Sequence, residues 1–178
     1  VGAKLVDTAL DPITITIHLV LALIIIALII YSSIQAYFEI SGNFEKNSSY
    51  HPNTKIVILG ILTCLFIEII IGTEIRGGLD MSRKENPLIE GIILLKMLGP
   101  FKYIHTILGF SLLGLTIYLR KIINDSNYKS SSFMLISVNA IIILIFTQIV
   151  LGESLVFFEV KPLMQLFHMW FSSLLIGL

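Results

Sequence analysis

The sequence is short of charge, of cysteine and of any imbalance between basic and acidic residues. Charged residues make up 13% of the 178 residues, whereas an average soluble domain contains about 25%, so an ordinary soluble protein is excluded. The 12 Lys and Arg residues balance the 12 Asp and Glu residues, so the composition implies no nucleic-acid partner. Cys64 is the single cysteine, which rules out an intrachain disulfide, and we expect it to be a small core residue.

Apolar residues are abundant instead, and 56% of the sequence is hydrophobic. Crossing a membrane takes about 20 consecutive apolar residues, and five runs reach or approach this length. We therefore predict an all-α, polytopic membrane helix bundle with five transmembrane helices. The last run ends at the final residue and the chain begins with Val1 rather than Met, so we expect a part of a longer protein. The predicted spans are Ile13–Tyr37, Ile56–Thr73, Phe101–Leu119, Phe133–Gly152 and Pro162–Leu178.

The first, third and fifth spans each carry a histidine near their beginning, namely His18, His105 and His168. Because alternate spans cross in the same direction, we expect these histidines in one layer near one membrane face. Ionisable side chains inside a membrane are costly and mark functional sites, and neutral imidazole is a common metal ligand. We interpret His105 and His168 as the axial ligands of one haem iron. For His18 alone, a core histidine or a proton relay is an equal alternative.

A small residue follows each of these histidines four positions later, on the same helix face. A small side chain there leaves room for a flat macrocycle beside the imidazole, or for close approach of a neighbouring helix. The three small residues are Ala22, Gly109 and Ser172.

An internal repeat, F-x-[EQ]-I-x-x-G, occurs in the second and fourth spans, at residues 66–72 and 146–152. Each copy precedes a histidine-bearing span, so the repeat predicts a duplicated helix pair related by rotation about an axis near the membrane normal. Glu68 and Gln148 hold equivalent positions, where we expect either an interhelical hydrogen bond or a contact to a cofactor. Arg76, just past the second span, is expected either to anchor the helix at the interface or to pair with a haem propionate.

Polar and charged residues between the spans predict loops at Glu39–Thr54, Glu74–Pro100 and Arg120–Ser132. Gly77 and Gly78 predict a flexible turn in the longest of these loops. By the positive-inside rule, the short basic loop Arg120–Ser132 lies on the cytoplasmic side of the membrane. The histidine-bearing ends of the helices then face outward.

Taken in order, these motifs resemble the haem A synthase family, membrane enzymes that mature haem for cytochrome oxidase. The resemblance covers nearly the whole chain, and Leu5–Ala22 is similar to that family's fourth transmembrane helix and its approach. This chain has Thr106 where many members have Arg, and Glu68 where the usual residue is Gln. The other matching segments are Glu68–Gly72, Gly72–Arg76 with Asp80, Phe101–His105, Gln148–Gly152 and Gln165–His168.

The resemblance implies eight spans in two similar four-helix halves. Residues 1–54 would be the last helix of the N-terminal half and a linker, and residues 55–178 the C-terminal, haem-binding four-helix bundle. His105 and His168 would hold a haem b in this half, while His18 would be a ligand of the substrate haem. The family's catalytic glutamate and cysteine pair belong upstream of this chain, so the chain alone is expected to be inactive. Candidate haem contacts are Arg76, Gly109, Ser172, Glu68 and Gln148.

By the same resemblance, the expected function is an oxidoreductase that converts haem O to haem A by oxidising a ring methyl to a formyl group. The expected setting is a bacterial-type cell membrane, with the haem sites toward its outer face. Haem O and the lipid bilayer are the expected partners. Haem O synthase, a membrane electron acceptor and a second copy of the chain are further candidates.

Two other functions are compatible with a histidine-bearing membrane bundle. A membrane b-type cytochrome that only transfers electrons would be favoured by histidine pairs stacked at two depths, whereas the three histidines here share one depth. A non-haem transporter built on inverted repeats would have helices broken within the membrane, whereas these spans have no internal proline.

Overall fold

The computed structural model describes residues 12–41, 51–85, 88, 93, 96, 99–125, 132–158 and 161–177, and within them every regular element is a helix. This confirms the predicted all-α class. Long apolar runs without internal proline favour helices, because every backbone group is then hydrogen-bonded within its own segment. The helices are α1 (Pro12–Ser41), α2 (Thr54–Glu85), α3 (Phe101–Ile123), α4 (Ser132–Phe157) and α5 (Pro162–Gly177).

Among the described residues, four stretches are long and apolar enough to cross a membrane: Val20–Tyr37, Thr54–Ser82, Phe101–Ile123 and Ser132–Phe157. They correspond to the first four predicted spans. Helix α5 has 16 residues, about 24 Å at 1.5 Å per residue, which is short of a typical span. The fifth span is therefore found as a helix, and its crossing of the membrane stays a prediction.

The five helices form a ring in which each contacts the next along the chain and α1 also contacts α5. Helices α2 to α5 contact one another in chain order. Helix α1 closes the ring by lying against both α2 and α5. The division into residues 1–54 and 55–178 stays a prediction.

The apolar core lies away from the histidine-bearing beginnings of α3 and α5. One buried cluster joins the start of α2, the end of α3 and the start of α4 through Val57, Leu119, Ile122, Ile123 and Val138. A second cluster joins the middle of the bundle to the end of α5 through Leu112, Ile145 and Leu175. Large apolar side chains also cover the outside of the bundle, as expected for helices in contact with lipid.

The predicted loop Glu74–Pro100 is wrong in its first part, because α2 continues to Glu85. Gly77 and Gly78 lie inside this helix rather than in a turn. An i,i+4 ion pair between Arg76 and Asp80, with 3.7 Å between Nε and Oδ2, supports the additional turns. Leu79, 3% exposed, fixes them to the bundle.

Helix α1 likewise extends past the predicted end at Tyr37 to Ser41. Residues 42–50 and most of 86–98, the remaining parts of the two longer predicted loops, lie outside the described residues.

Candidate functional site

The rings of His105 and His168 lie next to each other inside the bundle, in an edge-to-face arrangement. His105 is the fifth residue of α3 and His168 the seventh of α5. Their ring centres are 6.3 Å apart and their planes are inclined by 70°. Gly99, at φ 64°, adopts the left-handed conformation that favours glycine and turns the chain into α3 just before Phe101. The two histidines that the sequence predicts to act as a pair are thus brought together.

The glycine that ends each copy of the repeat lies against one of these rings. A Cβ atom on Gly72 would lie 3.3 Å from Cε1 of His105, and one on Gly152 would lie 3.4 Å from Cε1 of His168. The distance at Gly72 is tighter than an ordinary contact and that at Gly152 is at the lower limit of one, so a side chain larger than a methyl group would press on either ring. The final G of the motif therefore makes room for the imidazole of the following helix.

Glu68 lies beside His105. Its Oε1 atom is 3.3 Å from Nδ1 of His105, and its side chain is 15% exposed. A Cβ on Gly109, one turn after His105, would lie 3.2 Å from the same oxygen, so the carboxyl fits over a position without a side chain. The contact is not aligned as a hydrogen bond, and both Glu68 Oε2 and His105 Nδ1 are buried without hydrogen-bond partners within the described part of the chain.

Gln148 occupies the equivalent place in the second copy of the repeat but contacts different atoms. Its Nε2 donates to the backbone oxygen of His168 and to Oγ of Ser172, each at 2.7 Å. Oγ of Ser172 in turn donates to the oxygen of His168 at 2.9 Å. Gln148 Oε1 and His168 Nδ1 are buried without hydrogen-bond partners among the described residues.

Equivalent residues of the two copies therefore contact equivalent neighbours. Glu68 and Gln148 each reach the residue four positions after a histidine, and each terminal glycine contacts a histidine ring. This agreement supports the predicted duplication. The rotation that relates the two helix pairs stays a prediction.

Arg76 lies at the edge of the histidine pair, one turn beyond Gly72 on α2. Its guanidinium contacts the thioether of Met169, the residue after His168. Its side chain is 46% exposed and also faces Asp80. No role for Met169 follows from the sequence, because the 100° step between consecutive helical residues places its side chain on a different face from that of His168.

His18 is not among the contacts that join the other two histidines. It is the seventh residue of α1, and its side chain is exposed. The structure therefore brings together His105, His168, Glu68, Gln148, Gly109 and Ser172, with Arg76 at their edge, and leaves His18 on the outside.

A family model described as cytochrome oxidase assembly protein matches residues 1–178, the whole length of the chain. No curated protein and no solved structure matches it.

Proposed function

The chain belongs to the COX15-CtaA family of cytochrome oxidase assembly proteins, and from this premise we propose that it is part of a membrane oxidoreductase that converts haem O to haem A. The paired imidazoles of His105 and His168 are the observation that carries the proposal. In the conversion, a ring methyl takes one oxygen from water, releases four protons and four electrons, and becomes a formyl group. The electrons pass to a membrane electron acceptor.

The spacing of the two imidazoles fits the two sides of one haem iron. Metal–nitrogen bonds of about 2 Å, with about 1.2 Å from each nitrogen to its ring centre, place opposed ring centres about 6 Å apart. The observed value is 6.3 Å. Both Nδ1 atoms are buried against protein, which leaves Nε2 of each ring as the nitrogen that would coordinate the iron. The residues present therefore fit a haem held by two histidines.

A haem b held there supplies one-electron redox chemistry. His105 and His168 would hold this haem, and Gly109 and the small Ser172 would leave space beside it. Arg76 is half-exposed at the edge of the site and would pair with a haem propionate, for which a guanidinium is well suited. With both histidines bound to it, such a haem would supply electron transfer, and the methyl group would react at a different site.

We assign the substrate haem to a different surface, the exposed side of α1 around His18. His18 lies just before the apolar stretch Val20–Tyr37 with its side chain exposed, so a haem O iron would find a free approach to its imidazole there. The site would face the outer side of the membrane, as the resident haem would. Haem O synthase, a membrane electron acceptor and a second copy of the chain remain candidate partners.

The test is conversion of haem O by the full-length protein in membranes, followed by chromatography and mass spectrometry of the extracted haems. Wild type is expected to yield a product heavier by one oxygen and lighter by two hydrogens, and the variants His18→Ala and His105→Ala are expected to yield none. His51→Ala, outside both sites, is the control and should retain conversion. A protein that binds a redox-active haem b without forming this product would instead be a b-type cytochrome serving electron transfer.

A further inference from the structure

The two histidines of the pair differ in what lies next to Nδ1. His105 has the carboxyl of Glu68 at 3.3 Å. Nδ1 of neither histidine has an aligned hydrogen-bond partner among the described residues, but within them only His105 has a carboxyl beside it. An axial pair built from these histidines would therefore have two unequal members.

The difference follows from the residue one turn after each histidine. Ser172 presents a hydroxyl that accepts from Gln148 at 2.7 Å and holds the amide on the backbone oxygen of His168. Gly109 presents no side chain, so nothing on that face of α3 competes for the carboxyl of Glu68. The carboxyl is left beside the imidazole, with Oε1 3.3 Å from Nδ1.

A carboxyl at this position has a specific effect on a metal-bound imidazole. When Nε2 binds a metal, neutral imidazole carries its proton on Nδ1, and such histidines usually donate that proton to a carboxylate, a carbonyl or water. The acceptor fixes the tautomer and the ring orientation and makes the ligand more basic. A more basic axial ligand favours the oxidised, more positive iron.

We propose that Glu68 is a positioning residue for His105: its carboxyl accepts the Nδ1 proton, directs Nε2 to the iron and lowers the reduction potential of the bound haem. The inference rests on the proposed haem-binding function. Gln148 supports the backbone of His168 rather than its ring. The reduction potential of the bound haem is therefore set by Glu68 on α2, beside His105 on α3. Because Glu68 is 15% exposed, solvent screens its charge weakly.

The test is an optical redox titration of the haem in the detergent-extracted full-length protein. Glu68→Gln keeps an oxygen that can accept the proton but removes the negative charge. We expect the variant to retain haem and its midpoint potential to rise by at least about 59 mV, a tenfold change in the reduction equilibrium of a one-electron couple. The control is Thr116→Val, which changes a fully buried hydroxyl farther along α3 and should leave the potential unchanged.

An unchanged potential in a haem-bearing Glu68→Gln protein would overturn the inference, as would an equal shift in Thr116→Val. If the Glu68→Gln protein does not retain the haem, the Gly109→Ser variant tests the proposed effect of Glu68 on the reduction potential. Its new hydroxyl would compete for the carboxyl as Ser172 does for Gln148, so the potential should rise in the same direction, and an unchanged value would count against the proposal. Retention of haem by His105→Ala is a different result, which would refute the haem site itself.

Discussion

The first helix pair, α2 and α3, and the second, α4 and α5, use one arrangement for two different tasks. In both pairs a glycine of the first helix lies against the histidine ring of the second. The pairs differ at the third position of the motif, where Glu68 approaches an imidazole nitrogen and Gln148 binds a backbone oxygen. The shared contacts provide room for the rings, and the different ones determine how each ring is supported. A duplicated unit can therefore keep its geometry while a single residue changes its electrostatics.

The largest effect is expected from removing a member of the pair. His105→Ala or His168→Ala should reduce haem content below about one tenth of wild type, since losing even an outer partner of a metal ligand costs about 10–100-fold in affinity. Absorption spectra of the reduced proteins at equal protein concentration measure this, with His51→Ala as control. An unchanged absorption spectrum in either variant would show that the two helix pairs do not contribute equivalent haem ligands.

The next largest effect concerns the shared glycines. Gly72→Val and Gly152→Val should each lower the free energy of unfolding by about 1–3 kcal/mol, because the new side chain overpacks a histidine ring. The matched control is Gly60→Val, where a Cβ meets nothing within 4 Å. Thermal unfolding followed by circular dichroism measures all three. Clearly unequal losses at Gly72 and Gly152 would show that the two pairs are not packed alike.

A smaller effect on the free energy of unfolding is expected from removing the carboxyl of Glu68 or the amide of Gln148. Gln148→Ala removes two hydrogen bonds between α4 and α5 and should cost about 1 kcal/mol, at about 0.6 kcal/mol for each interhelical bond. Glu68→Ala should cost less, because its contact with His105 is not aligned as a hydrogen bond. The same unfolding measurement compares them. If Glu68→Ala were the more destabilising change, the carboxyl would have a mainly structural role.

The smallest effect is expected at Ser172. Ser172→Ala removes one interhelical hydrogen bond and should cost about 0.6 kcal/mol, while Gln148 keeps its bond to the oxygen of His168. Ser173→Ala is the control, since its hydroxyl bonds only the Met169 oxygen of its own helix. Equal unfolding free energies for the two variants would mean that Ser172 does not hold Gln148.

Much of this arrangement could be predicted from the sequence because it depends on regular spacing. Apolar runs predicted five spans, four of which are found among the described residues as stretches able to cross a membrane, and the position of His105 and His168 at the beginnings of alternate helices predicted their meeting. The motif at 66–72 and 146–152 predicted equivalent positions for Glu68 and Gln148, which the structure supports through their contacts.

The errors and omissions arise where tertiary contacts override local pattern. Two adjacent glycines and several charges were interpreted as a loop, yet Arg76, Asp80 and the buried Leu79 hold that stretch in α2. The hydrophobic periodicity of the helices did not predict that α1 contacts both α2 and α5. The different directions of Glu68 and Gln148 depend on partners in a neighbouring helix, which spacing along one helix does not specify.

The location of the apolar core has a consequence for the order of maturation. The cluster around Leu119 and Val138 joins α2, α3 and α4 without using either imidazole. Helix α5 is attached through Leu175 in the second cluster and through the hydrogen bonds of Gln148. Three helices can therefore pack together without α5, with His105 already in place. The last helix would then bring His168 beside it, so that the histidine pair and the bundle are completed in one event.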